Sequence, residues 1–432
     1  MSSEYRASTR KSRALFERAK KVFAGGVNHN ARFYEPYPIF VKKAKGQHIW
    51  DEDGRRYTDY WMGHLALILG HSPDVVVKAL AEQIPEGTHF GMSSRLSVEL
   101  GEEVQRAVRC AEMLRFCNTG AEATMYLVRL ARGSTRKRVI VKMAGGWHGY
   151  NTELNKGVQR PFGKPESAGI LPEEQEFVVT AKFNDLEDAR RVLKRARGDV
   201  AAILLEPVLG AGGCIPAERD YLKGLRELAD ETGALLAFDE IITGFRVAYG
   251  GAQEWYGVTP DLAAFGKVVG GGLPIGLVCG RKEIISLADP TRRAGFVSIG
   301  GGTFSENPLT MVAGLATLRL LRKDRTSIYP RLEVIGNSLR KRVDESFAES
   351  GKKTLTTGLG SLFMTHFVRG SDRSVKTRRE EEEAYRKYAL YLMTKGVFLL
   401  PGHPAGISLS HTNSNIAAFV RESQNFSAEA VA

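Results

Sequence analysis

An α/β protein with a mostly parallel sheet is the fold this sequence predicts, and three observations predict it. Val200-Ala201-Ala202-Ile203-Leu204-Leu205 and Ala234-Leu235-Leu236-Ala237-Phe238 are unbroken apolar runs, the kind strands show when both faces of a sheet are covered. The amphipathic stretch Asp220 to Thr232 lies between them, so strands and helices alternate from about residue 114 as βαβ units do. The composition, 43% hydrophobic and 25% charged over 432 residues, is enough for a large packed core and two or three domains.

The elements follow in chain order. Leu15, Phe16, Ala19 and Val22 make an apolar stripe that predicts a helix over 10–23, stopped by Gly25-Gly26. Residues 37–41 and 48–51 read as strands, with a turn at Asp51-Glu52-Asp53-Gly54. Ser72-Pro73-Asp74 opens a helix with a cap, a proline at the first position and an acid in the first turn. Residues 114–117 read as a strand, 121–132 as a helix ended by Gly133, and 138–141 as the next strand. A long helix follows Asn307-Pro308, and shorter mixed elements fill 353–411. Residues 151–182, rich in Gly and Pro and lacking periodicity, read as a lid or binding loop, or as a passive surface insertion.

Bulk properties exclude several classes. The four cysteines are scattered without a CxxC pair, which fits a reducing cytosol and offers no metal-ligand spacing. The N-terminal residues carry no apolar leader, and no run approaches the length of a membrane helix, so a soluble, cytoplasmic protein is expected. The net charge of +12 fits a solvated basic surface or anionic small molecules. Dispersed basic residues and the lack of a recognition motif argue against nucleic acid.

The chemistry gathers at two places. Asp239 ends an apolar strand, where α/β sheets set ligand-facing residues. Taken alone it also reads as a helix N-cap. Lys267 lies in Ala264-Phe265-Gly266-Lys267-Val268-Val269, neighbours that desolvate an amine and lower its pKa. A lysine able to form a Schiff base and an acid able to hold a pyridine nitrogen protonated are together what pyridoxal 5'-phosphate demands. Asn118-Thr119-Gly120-Ala121 joins a strand to a helix, and free N–H groups there suit a phosphate. Trp147, in Gly145-Gly146-Trp147-His148-Gly149, can lie flat on a planar ring or simply pack in the core. The triple glycine 270–272 lets backbone approach a ligand. It is not the GxGxxG of a dinucleotide-binding dehydrogenase.

Asn118-Thr119-Gly120-Ala121-Glu122-Ala123, Trp147-His148-Gly149, Glu206-Pro207-Val208, the run 238–246 and Phe265-Gly266-Lys267 together resemble class III aminotransferases, fold-type I pyridoxal phosphate enzymes. Gly25-Gly26-Val27-Asn28, Arg32 and Gly250-Gly251-Ala252-Gln253 resemble the glutamate-1-semialdehyde aminomutase branch more closely. The likeness runs from about residue 20 to 412. It implies a large cofactor-binding domain, 69–314, and a small α+β domain built from both chain ends, 1–68 and 315–432. It also implies a homodimer with active sites at the interface and small-molecule partners, an amino acid with a keto acid or aldehyde. Lys267 and Asp239 would be catalytic. Thr119, Gly120, Ala121, Trp147, His148, Glu206 and Ile241 would bind the cofactor, with Thr303 reaching it from the other subunit. Arg32 would hold a substrate carboxylate, a task suited to a guanidinium fork. His64 and Ile299 stand where the aminomutase has a pocket Trp and Tyr, and Ala211 where it has an Asn. The stretch 400–407 lacks that enzyme's pocket acid. Kept cofactor machinery with altered walls leads us to expect an aminotransferase acting between two molecules, with the aminomutase as the alternative.

Overall fold

The computed structural model describes residues 2–159, 162, 166–367 and 379–429. The chain divides into two compact units, Asp74–Tyr329 and the combination of Met1–Pro73 with Pro330–Ala432.

The larger unit is built on a seven-stranded sheet. Its strands are β1 (Met113–Cys117), β2 (Val139–Met143), β3 (Val178–Ala181), β4 (Val200–Leu205), β5 (Leu235–Asp239), β6 (Leu262–Gly266) and β7 (Gly276–Gly280), in the spatial order β1-β7-β6-β5-β4-β2-β3. Neighbours from β6 through β5, β4 and β2 to β3 are parallel; only β7 runs against its two partners. This is an α/β fold with a mixed, mostly parallel sheet. Every residue of β4 is buried, as its unbroken apolar run requires. Ala202, Leu204, Ala237, Leu262, Ala264 and Val278 pack with Leu127, Val128 and Leu130 of helix Gly120–Thr135 in one apolar core. Helix Arg219–Thr232 packs against β4 and β5.

The glycine run after Lys267 has a packing role. Gly271 has φ +61°, and a Cβ there would lie 2.4 Å from the carbonyl oxygen of Ala313 in helix Pro308–Lys323. A Cβ on Gly270 would meet Ile275 at 2.7 Å. Gly271 thus admits this helix at close range. The strands β6 and β7 that flank the glycine run are short and glycine-bounded, so periodicity alone does not mark them.

The other unit carries a four-stranded sheet, Val41–Lys45, His48–Asp51, Arg56–Asp59 and Val397–Phe398, so its strands come from both chain ends. A three-stranded antiparallel sheet joins Thr354–Thr357, Leu362–Phe367 and Ala405–Gly406. Tyr5, Phe16, Tyr34, Tyr37, Ile49, Tyr57 and Phe398 form an apolar cluster that includes residues of the four-stranded sheet.

Three local expectations need correction. The helix expected to reach residue 23 ends at Ala19, because the chain turns early to seat Gly26 against the Phe16 ring. The first strand is 41–45 rather than 37–41. Pro38 lacks an N–H, and the backbone around it bonds to side chains instead: Tyr5 Oη donates to the Tyr37 carbonyl at 2.8 Å, and Ile39 N–H donates to Tyr34 Oη at 2.9 Å. The segment 151–182 is not one long loop, since 172–175 form a 3-10 turn and β3 pairs with β2. Pro161, Gly163 and Pro165 of that segment lie outside the described residues. Among the described residues no helix is long and apolar enough to cross a membrane.

Candidate active site

Parallel strands deliver their loops to one edge of the sheet, and the predicted site residues of the larger unit stand at these strand ends. Asp239 closes β5, Lys267 follows β6, Asn118-Thr119 follow β1, Trp147-His148 follow β2 and Glu206 follows β4.

Asp239 is almost fully buried, and both its oxygens are engaged. Oδ2 lies 2.8 Å from His148 Nδ1, and Oδ1 accepts from the Ile241 N–H at 3.1 Å. Burial pushes the His148 pKa down, so the ring is neutral near pH 7. The hydrogen bond to a carboxylate assigns its proton to Nδ1. Among the described residues the buried Nε2 has no hydrogen-bond partner. Two bonds leave the Asp239 carboxylate further acceptor capacity.

Lys267 is half-buried, and desolvation lowers its pKa; the Arg246 charge acts the same way, while Asp239 and Glu206 oppose it. It has φ +52°, unusual for a residue with a Cβ, held by the 3-10 turn Lys267–Gly270. Glu206 accepts from the N–H groups of Trp147 at 2.8 Å and Gly210 at 3.0 Å. Burial and the Asp239 charge raise its pKa.

The start of helix Gly120–Thr135 is closed by a capping box. The Glu122 N–H donates to Thr119 Oγ1 at 3.2 Å, and the Glu122 carboxylate accepts from the N–H groups of Thr119 and Asn118. Thr119 Oγ1 thus serves the cap as an acceptor, while its own O–H makes only a 3.5 Å contact to Glu122 Oε2. The N–H groups of Gly120 and Ala121, in the first turn, have no intrahelical acceptor. Ile241 closes this cradle: a Cβ on Gly120 would strike its Cδ1 at 2.5 Å, and one on Gly149 would meet Ala121 Cβ at 2.6 Å. The Trp147 loop is thus pressed against the helix start. Trp147 is half-buried, with Tyr150 edge-on at 4.9 Å.

The remaining predicted residues are placed otherwise. Thr303 is exposed and its hydroxyl forms no hydrogen bond among the described residues; the preceding Gly301 carbonyl accepts from Asn118 Nδ2 at 3.1 Å. Ile299 is buried in the apolar core beside helix Gly120–Thr135. In the other unit, Arg32 is exposed in the turn Asn30–Arg32, which begins at His29. His64 sits in a turn where Met62, Gly63, His64 and Leu65 all have positive φ, its ring 4.8 Å from His29 and 4.3 Å from Trp61.

Sequence reasoning passed over three supports. Thr124 Oγ1 donates to the His148 carbonyl at 2.7 Å. Glu240 is buried and accepts from Thr243 Oγ1 and from the N–H groups of Ala252 and Gln253, holding the turn after Asp239. Lys142 is a fully buried ammonium inside β2, and a lysine within Val139-Ile140-Val141-Lys142-Met143 was the available signal.

These residues fit pyridoxal 5'-phosphate. A half-buried amine, a buried carboxylate with spare acceptor capacity, first-turn N–H groups that point toward a phosphate and a half-covered indole match its carbonyl, ring nitrogen, phosphate and ring face. The class III aminotransferase family model matches residues 29–413. The chain belongs to the class III aminotransferases. It is a pyridoxal phosphate-dependent enzyme of the fold-type I architecture. Glutamate-1-semialdehyde 2,1-aminomutase of Methanosphaera stadtmanae is 38% identical over 410 residues, 94% of this chain and 95% of that protein. The same-named protein of Thermodesulfovibrio yellowstonii is 38% identical over 96% of this class III chain and 97% of its own length. Among solved structures, an omega-transaminase from Sphaerobacter thermophilus superposes with TM-score 0.91 at 33% identity, covering 98% of both chains. A beta-phenylalanine aminotransferase from Variovorax paradoxus gives TM-score 0.89 at 30% identity, over 99% of this chain and 96% of that one.

Proposed function

We propose that this class III enzyme moves an amino group within a carboxylate-bearing amino aldehyde, converting glutamate 1-semialdehyde to 5-aminolevulinate. The observation that carries this is the set of relatives at 38% identity, named as that aminomutase, that align over almost the whole chain. The sequence reading ranked transfer between two molecules first, and these relatives reverse that order. Intermolecular transfer from a β-, ω- or α-amino acid to a keto acid or aldehyde is the second reading. It is favoured by the two transaminase structures at 33% and 30% identity and by Ala211, His64 and Ile299, which differ from the aminomutase pattern.

In both readings the same groups act. Bound pyridoxal phosphate supplies a carbonyl for amine condensation and a ring that takes up the electron pair released at the substrate carbon. Lys267 is the residue whose ε-amine would hold the cofactor carbonyl, and the same amine would move the proton at the substrate carbon. Its lowered pKa raises the share of free amine, the form that can take up a proton. Asp239 keeps the ring nitrogen positive, and His148 with the Ile241 N–H holds the carboxylate in place. The Gly120 and Ala121 N–H groups take the phosphate, joined by Thr119 and by Thr303 of a second copy in a homodimer. Trp147 and Ile241 would cover the ring of the bound cofactor, and Glu206 fixes the Trp147 backbone. Arg32 is proposed to hold the substrate carboxylate, with His64 as a wall. The scattered buried cysteines are those of a cytoplasmic enzyme.

The test is to supply glutamate 1-semialdehyde alone to purified enzyme. Formation of 5-aminolevulinate without an added acceptor is expected. Its absence, together with turnover of an amino donor and a separate acceptor, would replace this reading by the second.

A further inference from the structure

Lys142 lies on β2 with its side chain fully out of water, and the mechanism above gives it no part. A buried ammonium is strongly disfavoured unless its donors are satisfied. Here all three are: Nζ donates to the carbonyls of Gly146 at 2.8 Å, Leu154 at 2.9 Å and Lys156 at 2.7 Å. That exhausts the hydrogen-bonding capacity of an ammonium. Among the described residues no carboxylate pairs with it directly. Burial brings the amine down to about 8, against the opposing charges of Glu206, Glu166 and Asp239, so it is still mostly charged at pH 7.

The three carbonyls belong to one excursion of the chain. Gly146 directly precedes Trp147 and His148, whereas Leu154 and Lys156 lie on the returning limb. The returning limb is tied again: Lys156 Nζ donates to the carbonyls of Gln175 and Val178, and Gln175 Nε2 donates to those of Thr152 and Asn155. Around Trp147-His148 the backbone is held by Glu206 at the Trp147 N–H and by Thr124 at the His148 carbonyl. The Gly146 carbonyl is the third point, and Lys142 holds it.

We infer that Lys142 is a positioning residue of the amino-transfer site: by gathering three carbonyls of the 146–156 loop onto one ammonium, it places Trp147 over the cofactor ring and His148 against Asp239. This rests on the cofactor roles proposed above for Trp147 and His148.

The experiment uses holoenzyme with Lys142→Met, which keeps the length and removes the donors, and Lys142→Gln, which restores two. Expected for Lys142→Met is native far-ultraviolet circular dichroism with at least tenfold weaker cofactor retention and a reduced visible dichroic band of the bound cofactor. A drop in kcat exceeding any change in KM is also expected, with partial recovery in Lys142→Gln. Unchanged retention and an unchanged visible band in folded Lys142→Met would overturn the inference. Should both variants fail to fold, amide hydrogen exchange on wild-type holoenzyme decides. Protection of Trp147 and His148 equal to that of β2 supports the pinning, and exchange as fast as exposed loops overturns it. A wild-type enzyme that shows no cofactor band at all would instead strike the reading of the site.

Discussion

At the scale of single residues, chemistry is concentrated in groups whose surroundings oppose their usual ionisation. Lys267 is half-buried, and desolvation lowers its pKa from the ordinary lysine value. Lys267→Ala is expected to lose the adduct that hydride reduction traps on the wild-type lysine, read by peptide mass. Turnover should fall about 10²–10⁴-fold or more, the usual contribution of a positioned acid–base group. Asp239→Asn keeps the shape but removes the charge. Turnover should fall about 10²–10³-fold, as when one preorganised electrostatic partner is removed, while the visible cofactor band persists but shifts. An unshifted band with full activity would show that the carboxylate does not face the ring. Both residues were legible from their neighbours, because an apolar run ending in an acid and a lysine among small apolar residues each break the usual rule. Lys142 broke the same rule within β2, yet only the three carbonyls around it reveal what it holds.

At the scale of elements, the site depends on glycines that let backbone touch backbone. A Cβ on Gly276 of β7 would lie 2.1 Å from the Thr119 carbonyl, at the head of the phosphate cradle. Gly276→Ala should therefore push the 118–121 turn outward and weaken cofactor retention, with about 1–3 kcal/mol lost in stability as for other overpacked sites. Cofactor titration alongside thermal melting would measure both effects. Thr119→Ala opens the capping box of helix Gly120–Thr135 and should cost about 1 kcal/mol. A loss of cofactor affinity larger than that would mean the hydroxyl also meets the phosphate. The helices and apolar strands of this unit could be read from periodicity. β3, β6 and β7 could not, because they are short and take their order from neighbouring strands rather than from their own residues. The same limit explains the strand at 41–45, where side-chain hydroxyls from elsewhere satisfy the backbone of the preceding residues.

At the scale of the whole molecule, acid sensitivity follows from histidines held neutral. His411 is buried, its Nδ1 accepts from the Ser408 N–H at 3.0 Å, and burial first of all lowers its pKa to about 3. The unfolded chain takes up this proton near pH 6.5, so the unfolded state binds protons first as pH falls and stability declines. The loss should reach about 3 kcal/mol by pH 4, at about 1.36 kcal/mol per unit. Thermal midpoints measured from pH 7 to 4 should fall less steeply in His411→Asn, whose side-chain oxygen can accept the same N–H. Equal slopes would remove His411 as the cause. The sequence alone determined the α/β class, the family and its cofactor, because strand burial, helix starts and the Lys267–Asp239 chemistry are local or nearly local in the chain. Only the tertiary structure decided what supports them: His148 on Asp239, Ile241 over Gly120, and Lys142 under the Trp147 loop. These contacts join residues brought together by the parallel register of β2, β4, β5 and β6. Spacing along the chain carries no trace of such meetings.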